Sequence, residues 1–155
     1  MHRYATTVSA LLLLLAATCA AAQKAVTLDK CEGDIDYPSF KNVTIDPCES
    51  DPCVIKRGDR YNVTFYVEAT KDADDVQVTT TKQQESDTTH VNMMSSVSCF
   101  FMDVPCNVTK GEVFRGSVEL KLSNFVVSPG ELFYQLKVNS GREVFACGKT
   151  TLTVE

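Results

Sequence analysis

Apolar and polar residues alternate along much of this chain with a period of two. In Tyr61–Glu68 the odd positions Tyr61, Val63, Phe65 and Val67 are apolar, with Asn62, Thr64 and Glu68 between them. A strand sends successive side chains to opposite faces, so this run reads as a strand with one buried face. Val118, Leu120 and Leu122 alternate with Glu119 and Lys121, and Leu132, Tyr134, Leu136 and Val138 repeat the pattern up to an Asn139-Ser-Gly141 turn. Val76 and Val78 are read as inward positions of a β-branched run from Asp75 to Thr81. Shorter runs at Val26–Leu28, Lys41–Ile45, Val54–Lys56, His90–Val97 and Val144–Val154 complete about eight strands separated by turn residues. Asn42 and Thr44 are assigned to the outer face, opposite Val43 and Ile45. No window carries a helical stripe. The expected class is all-β, an antiparallel sandwich or barrel.

Two connections break the rule that turns are polar. Met93-Met94 leads through Val97 to Cys99-Phe100-Phe101-Met102-Asp103-Val104-Pro105-Cys106, and Ser123–Gly130 carries Phe125, Val126 and Val127. Apolar groups on connections are costly unless they cover something. They either cap the end of a sandwich or rim an opening into it, a role that suits the adaptable methionine side chain.

The N-terminus places the chain in a compartment. Residues 1–22 read as a secretory leader: Arg3 near the start, five leucines from Leu11 to Leu15, and small residues for cleavage after Ala22. The apolar stretch falls short of the roughly 20 residues that span a bilayer. Residues 23–155 remain, one domain by length. Of the seven cysteines, Cys19 leaves with the leader, and six remain: Cys31, Cys48, Cys53, Cys99, Cys106 and Cys147. In an oxidising compartment these favour disulfides over metal. Six thiols allow about 15 connectivities; nesting suggests two local clips and a bond joining the terminal segments. Sequons at Asn42, Asn62 and Asn107 agree with secretion. The leader serves extracellular fluid and lysosomal lumen alike.

Charge and chemistry narrow the function. Of 15 basic residues Arg3 leaves with the leader, so 14 face 20 acidic residues and the net charge is near −6. That argues against nucleic acid as a partner. Once His2 is gone His90 is the one histidine, and there is no Gly-X-Ser-X-Gly elbow. No catalytic site, cofactor or metal is assigned. Asp72, Asp74 and Asp75, and Asp34 with Asp36, read as solvated turns.

Cys48-Glu-Ser-Asp-Pro-Cys53 followed by Val-Ile-Lys-Arg-Gly-Asp-Arg-Tyr61 resembles the signature of ML domains, the lipid-recognition family of the Niemann–Pick type C sterol carrier and the group 2 mite allergens. Cys106-Asn-Val-Thr-Lys-Gly-Glu-Val-Phe, Phe145-Ala-Cys147 and Asp29-Lys-Cys31 resemble further features of that family. The resemblance implies an immunoglobulin-like β-sandwich of two antiparallel sheets with an apolar cavity between them. It also implies disulfides Cys31–Cys147, Cys48–Cys53 and Cys99–Cys106.

On that basis the expected function is a non-enzymatic, monomeric carrier of a sterol, fatty acid or other lipid, working with a membrane receptor or a lipid-transfer partner. The cavity would be lined by Val63, Phe65, Val67, Val76, Val78, Val118, Leu120, Leu122, Tyr134 and Leu136. Its mouth would be formed by Met93, Met94, Phe100, Phe101, Phe125, Val126 and Val127, with Tyr66, Lys121 and Ser123 near the head group. Alternation alone is the same for a solid core. The alternative is a glycosylated interaction module acting as a receptor co-factor in innate immune recognition.

Overall fold

The alternating runs become strands whose ends fall close to the turn residues. In a computed structural model describing residues 24–33, 35–86 and 89–155, the strands are β1 (Asp29–Lys30), β2 (Asn42–Asp46), β3 (Val54–Ile55), β4 (Arg60–Glu68), β5 (Gln77–Ser86), β6 (Thr89–Ser98), β7 (Val113–Lys121), β8 (Gly130–Ser140) and β9 (Glu143–Val154). The expected leader, residues 1–22, and Asp34 lie outside the described residues. No α-helix occurs among those described; a single 3-10 turn spans Cys99–Phe101.

The strands form two sheets. The larger runs β1-β9-β8-β5-β6 and the smaller β2-β4-β7. Ladders are antiparallel except at β3, where Val54 and Ile55 lie parallel to Thr153 and Val154 of β9. The period-two pattern is the packing rule of this core. In β4, Tyr61, Val63, Phe65 and Val67 are buried and the residues between them are not. They meet Leu120 and Leu122 from the β7 side, and Leu132, Leu136 and Val138 of β8, in one apolar cluster between the sheets. Disulfides close Cys31–Cys147, Cys48–Cys53 and Cys99–Cys106.

The two long seams of the sandwich differ. One is sealed by the N-terminal segment. Ala25 bridges Thr44, and Val26 N–H donates to the Val43 carbonyl at 2.8 Å. Leu28 and Phe40 pack on the core, and the Phe40 ring meets Phe65 edge-on at 5.9 Å. Cys31–Cys147 fastens the same side. This covering corrects two expectations. Val26–Leu28 is no strand of its own, and Thr44, assigned outward, is only 8% exposed where Ala25 pairs beside it. Asn42, Asn62 and Asn107 are exposed.

β6 and β7 border the opposite seam, each in a different sheet and not paired with the other. The Cys99–Cys106 loop crosses it at one end, where Ser117 N–H donates to the Asp103 carbonyl at 2.9 Å. Below that crossing lies Gly116, whose missing side chain admits the Phe65 ring: a Cβ there would sit 2.4 Å from Phe65 Cζ and 2.8 Å from Val104 Cγ2. Gly116→Ala is therefore expected to destabilise the fold by about 1–3 kcal/mol through overpacking. Chemical denaturation measures this, and an unchanged midpoint would mean that the Phe65 ring moves aside at no cost.

Candidate ligand cleft between the sheets

Strand alternation carries the inner face of β5 past its valines. Val78 faces inward, so Thr80, Lys82 and Gln84 do too. Across the ladders they meet Val97, Ser95, Met93 and Val91 of β6, and Val138, Leu136 and Tyr134 of β8. The open seam beside them holds a cleft of about 400 Å³. Its walls are Val78, Thr80, Lys82, Ser95 and Val97 from the large sheet, Ser117, Val118 and Glu119 from β7, and Phe101, Met102 and Asp103 from the disulfide loop.

The cleft is apolar at Val78, Val97, Val118, Phe101 and Met102, and polar elsewhere. Its two carboxylates are engaged: Glu119 accepts from Arg60 at 3.0 Å and Asp103 from Arg115 at 2.8 Å. Lys82 is not in an ion pair among the described residues; its Nζ donates to the Lys121 carbonyl at 3.4 Å, spanning the seam. Partial burial pulls the Lys82 ammonium below the usual lysine range. Opposite Lys82 stands Tyr134, 2% exposed, with its hydroxyl unpartnered. Burial pushes that phenol well up. Tyr61 shows the contrast: its hydroxyl accepts the Lys56 N–H at 2.8 Å.

Nine of the ten residues assigned to the cavity are buried, and Val118 is partly so. Two of the ten, Val78 and Val118, face the cleft; the others pack with the core cluster.

The seven mouth residues do not form one mouth. Phe101 lines the cleft at 84% exposure, and Met93 faces inward opposite Lys82. Met94 falls on the outer face, because neighbours on a strand point opposite ways. Phe100 projects from the 3-10 turn into solvent. Phe125 and Val126 sit on the β7–β8 connection, at the other end of the sandwich from the disulfide loop. Val127 is buried, its carbonyl accepting from Arg57 at 3.3 Å, and Gln84 secures the next residue by accepting the Ser128 N–H at 2.9 Å.

None of the three expected head-group residues is among those that line the cleft. Tyr66 points outward beside Asn42, Ser123 accepts the Phe125 N–H, and Lys121 offers its carbonyl rather than its ammonium. Thr80, Lys82 and Gln84 are the inward polar groups of β5, and Tyr134 faces Lys82 from β8. Carrying the alternation of Val76 and Val78 four residues further would have found the first two.

A second hollow of about 470 Å³ lies on the solvent face of the large sheet. Gln83, Glu85, His90, Asn92 and Gln135 give it hydrogen-bonding walls, and the half-exposed Phe133 is its main apolar feature. His90 stands there with Nδ1 3.9 Å from Glu85. No group of three or more metal-ligating side chains occurs among the described residues.

In fold, the chain resembles the Niemann-Pick type C2 protein from Japanese carpenter ant, at 14% identity and a TM-score of 0.65 over 83% of this chain and 99% of that one. The C-terminal domain of wzt aligns at 12% identity and a TM-score of 0.50, covering 66% of this chain and 63% of that one. Chicken MD-1, solved in complex with lipid IVa, aligns at 14% identity and a TM-score of 0.48 over 81% and 87% of the two chains. No curated protein matches significantly by sequence. The sequence model of the ML domain matches from residue 25 to residue 154, nearly all of the described sandwich, and this chain belongs to that family.

Proposed function

We propose that this protein is a secreted, non-enzymatic lipid carrier whose ligand enters between the sheets at the β6–β7 seam. The observation that carries the reading is the asymmetry of the seams in an ML domain: one is sealed by a disulfide-fastened segment, the other holds a cleft with an apolar floor. At about 400 Å³ the cleft lies within the roughly 300–1,000 Å³ of ordinary ligand pockets. Each 100 Å² of apolar ligand surface buried there contributes roughly 2.5 kcal/mol before ordering costs. The leader and the exposed sequons support secretion.

Native mass spectrometry of protein secreted from eukaryotic cells, followed by organic extraction, tests this. A stoichiometric lipid that is released on extraction is the expected outcome. A folded, disulfide-bonded protein that carries no lipid and takes up none overturns the reading. The receptor co-factor reading would then take its place, supported by the exposed rings of Phe100, Phe101 and Phe125.

A further inference from the structure

An unpaired strand at the edge of a sheet offers a row of backbone N–H and C=O groups to any other strand, and sandwiches guard such edges. Here the edges are guarded unequally. β1 and β3 are only two residues long. β2 is covered on its outer side by Ala25 and by the Val26 N–H. β7 carries Arg115, Glu119 and Lys121, and Asp103 bridges it at Ser117. β6 has none of these devices. It ends the large sheet as a ten-residue strand, and among the described residues no backbone bond reaches it except from β5. From Thr89 to Ser98 there is no Lys, Arg, Asp, Glu or Pro. Met94, on its outer face, is 74% exposed. No sequon lies on the large sheet: Asn42 and Asn62 are on β2 and β4, and Asn107 follows the disulfide loop.

We propose that β6 pairs antiparallel with β6 of a second copy, joining two large sheets edge to edge about a two-fold axis. The dimer replaces the monomer expected from the sequence and stands whether or not the protein carries lipid. A second copy is the occupant because the strand complements itself. In an isologous contact each residue meets the same strand reversed, and opposed residues share a face. An axis through Met94 sets Met94 against Met94 of the second copy, Asn92 against Ser96 and His90 against Ser98 on the outer face. On the inner face it sets Val91 against Val97 and Met93 against Ser95. No like charges are opposed, and the exposed thioether is covered by its own counterpart. An axis through Met93 would instead set Val91 against Ser95 and Met94 against Asn92, matching apolar groups with polar ones. A charged partner strand would find no counter-charge on β6. Because β6 borders the open seam, the two clefts then open side by side.

Sedimentation equilibrium of the secreted, glycosylated protein tests this, with two further variants. The unaltered protein should dimerise reversibly with a Kd below about 100 μM. Met94→Lys places two ammonium groups opposite one another, and should weaken association by about tenfold or more while leaving the thermal midpoint of the exposed site unchanged. Opposed Cα atoms in antiparallel strands lie about 4.5–5.5 Å apart, within disulfide reach. Met94→Cys should therefore lock the dimer covalently on a non-reducing gel, whereas Asn92→Cys, which meets Ser96, should not. A protein that stays monomeric up to about 100 μM overturns the second copy as the occupant. Dimerisation as tight in Met94→Lys as in the unaltered protein moves the interface off β6 and overturns the proposal. Cross-linking by Asn92→Cys as readily as by Met94→Cys overturns the axis through Met94.

Discussion

Replacing Cys31 and Cys147 together by alanine is expected to cost about 4–5 kcal/mol of folding stability, the largest loss from any of the three disulfides. The two residues are 116 apart in sequence, so their bond closes almost the entire described chain into one loop. Loop-closure entropy grows with the logarithm of loop length: about 4.7 kcal/mol for a loop of roughly 100 residues, against about 2 kcal/mol for one as short as Cys48–Cys53. The bond also fastens the segment that seals the first seam. Its loss leaves Leu28 and Phe40 free to leave the core, and the Phe40–Phe65 contact goes with them. Urea unfolding of the three double-alanine variants checks the order. A loss at Cys48–Cys53 equal to that at Cys31–Cys147 would show that the stabilisation lies in local geometry, not in closure of the long loop.

Loss of stability and loss of function should separate by seam. The sealed side carries the covalent closure, the aromatic contact and the tight approach of Leu28 to Gly148, where a Cβ would lie 2.8 Å from Leu28 Cδ1. The open side is held at crossing points: Asp103 on Ser117 and Arg115 at one end, and Lys82 on the Lys121 carbonyl at the other. Substitutions on the first side act on folding. Substitutions between the crossing points of the second reach solvent-accessible walls and act on what enters.

Much of the architecture was legible because burial on one face of a strand leaves a period-two trace. Tyr61–Val67 and Leu132–Val138 carry that trace, broken by the outward rings of Tyr66 and Phe133, and both are central strands. The site was legible only in part, for the complementary reason. Thr80, Lys82 and Gln84 are polar, so composition assigns them to solvent, yet they continue the inward face of Val78. Thr80 and Lys82 border the open seam, and Gln84 is satisfied inside by donating to the Ser128 and Glu131 carbonyls. Phe125 and Val127 are two residues apart and equally apolar, yet one is 99% exposed and the other 2%. What separates them is the anchoring of the loop by Arg57 and Gln84, contacts 70 and 44 residues away in the chain. Gly116 reads in sequence as a weak point in a strand; only the Phe65 ring lying against it explains the residue.

Ser95→Trp should separate entry from folding most sharply. Ser95 is exposed, faces the cleft from the edge strand β6, and lies across the ladder from Thr80. An indole there fills the space between Val97 and Val118 without displacing a buried side chain. Since surface substitutions away from packed features usually stay within about 0.5 kcal/mol, the unfolding midpoint should barely move. Lipid uptake should fall by about tenfold or more, the factor that accompanies a loss of roughly 1.4 kcal/mol of binding free energy. Partition of a fluorescent fatty acid between vesicles and protein measures this. Ser96→Trp is the matched control, because Ser96 is the next residue on the same strand and points to the outer face opposite Thr79. Loss of uptake in Ser95→Trp with retention in Ser96→Trp places the entrance at the β6–β7 seam. Equal uptake by both variants moves the entrance elsewhere, and the second hollow, on the solvent face beside Phe133, becomes the next place to block.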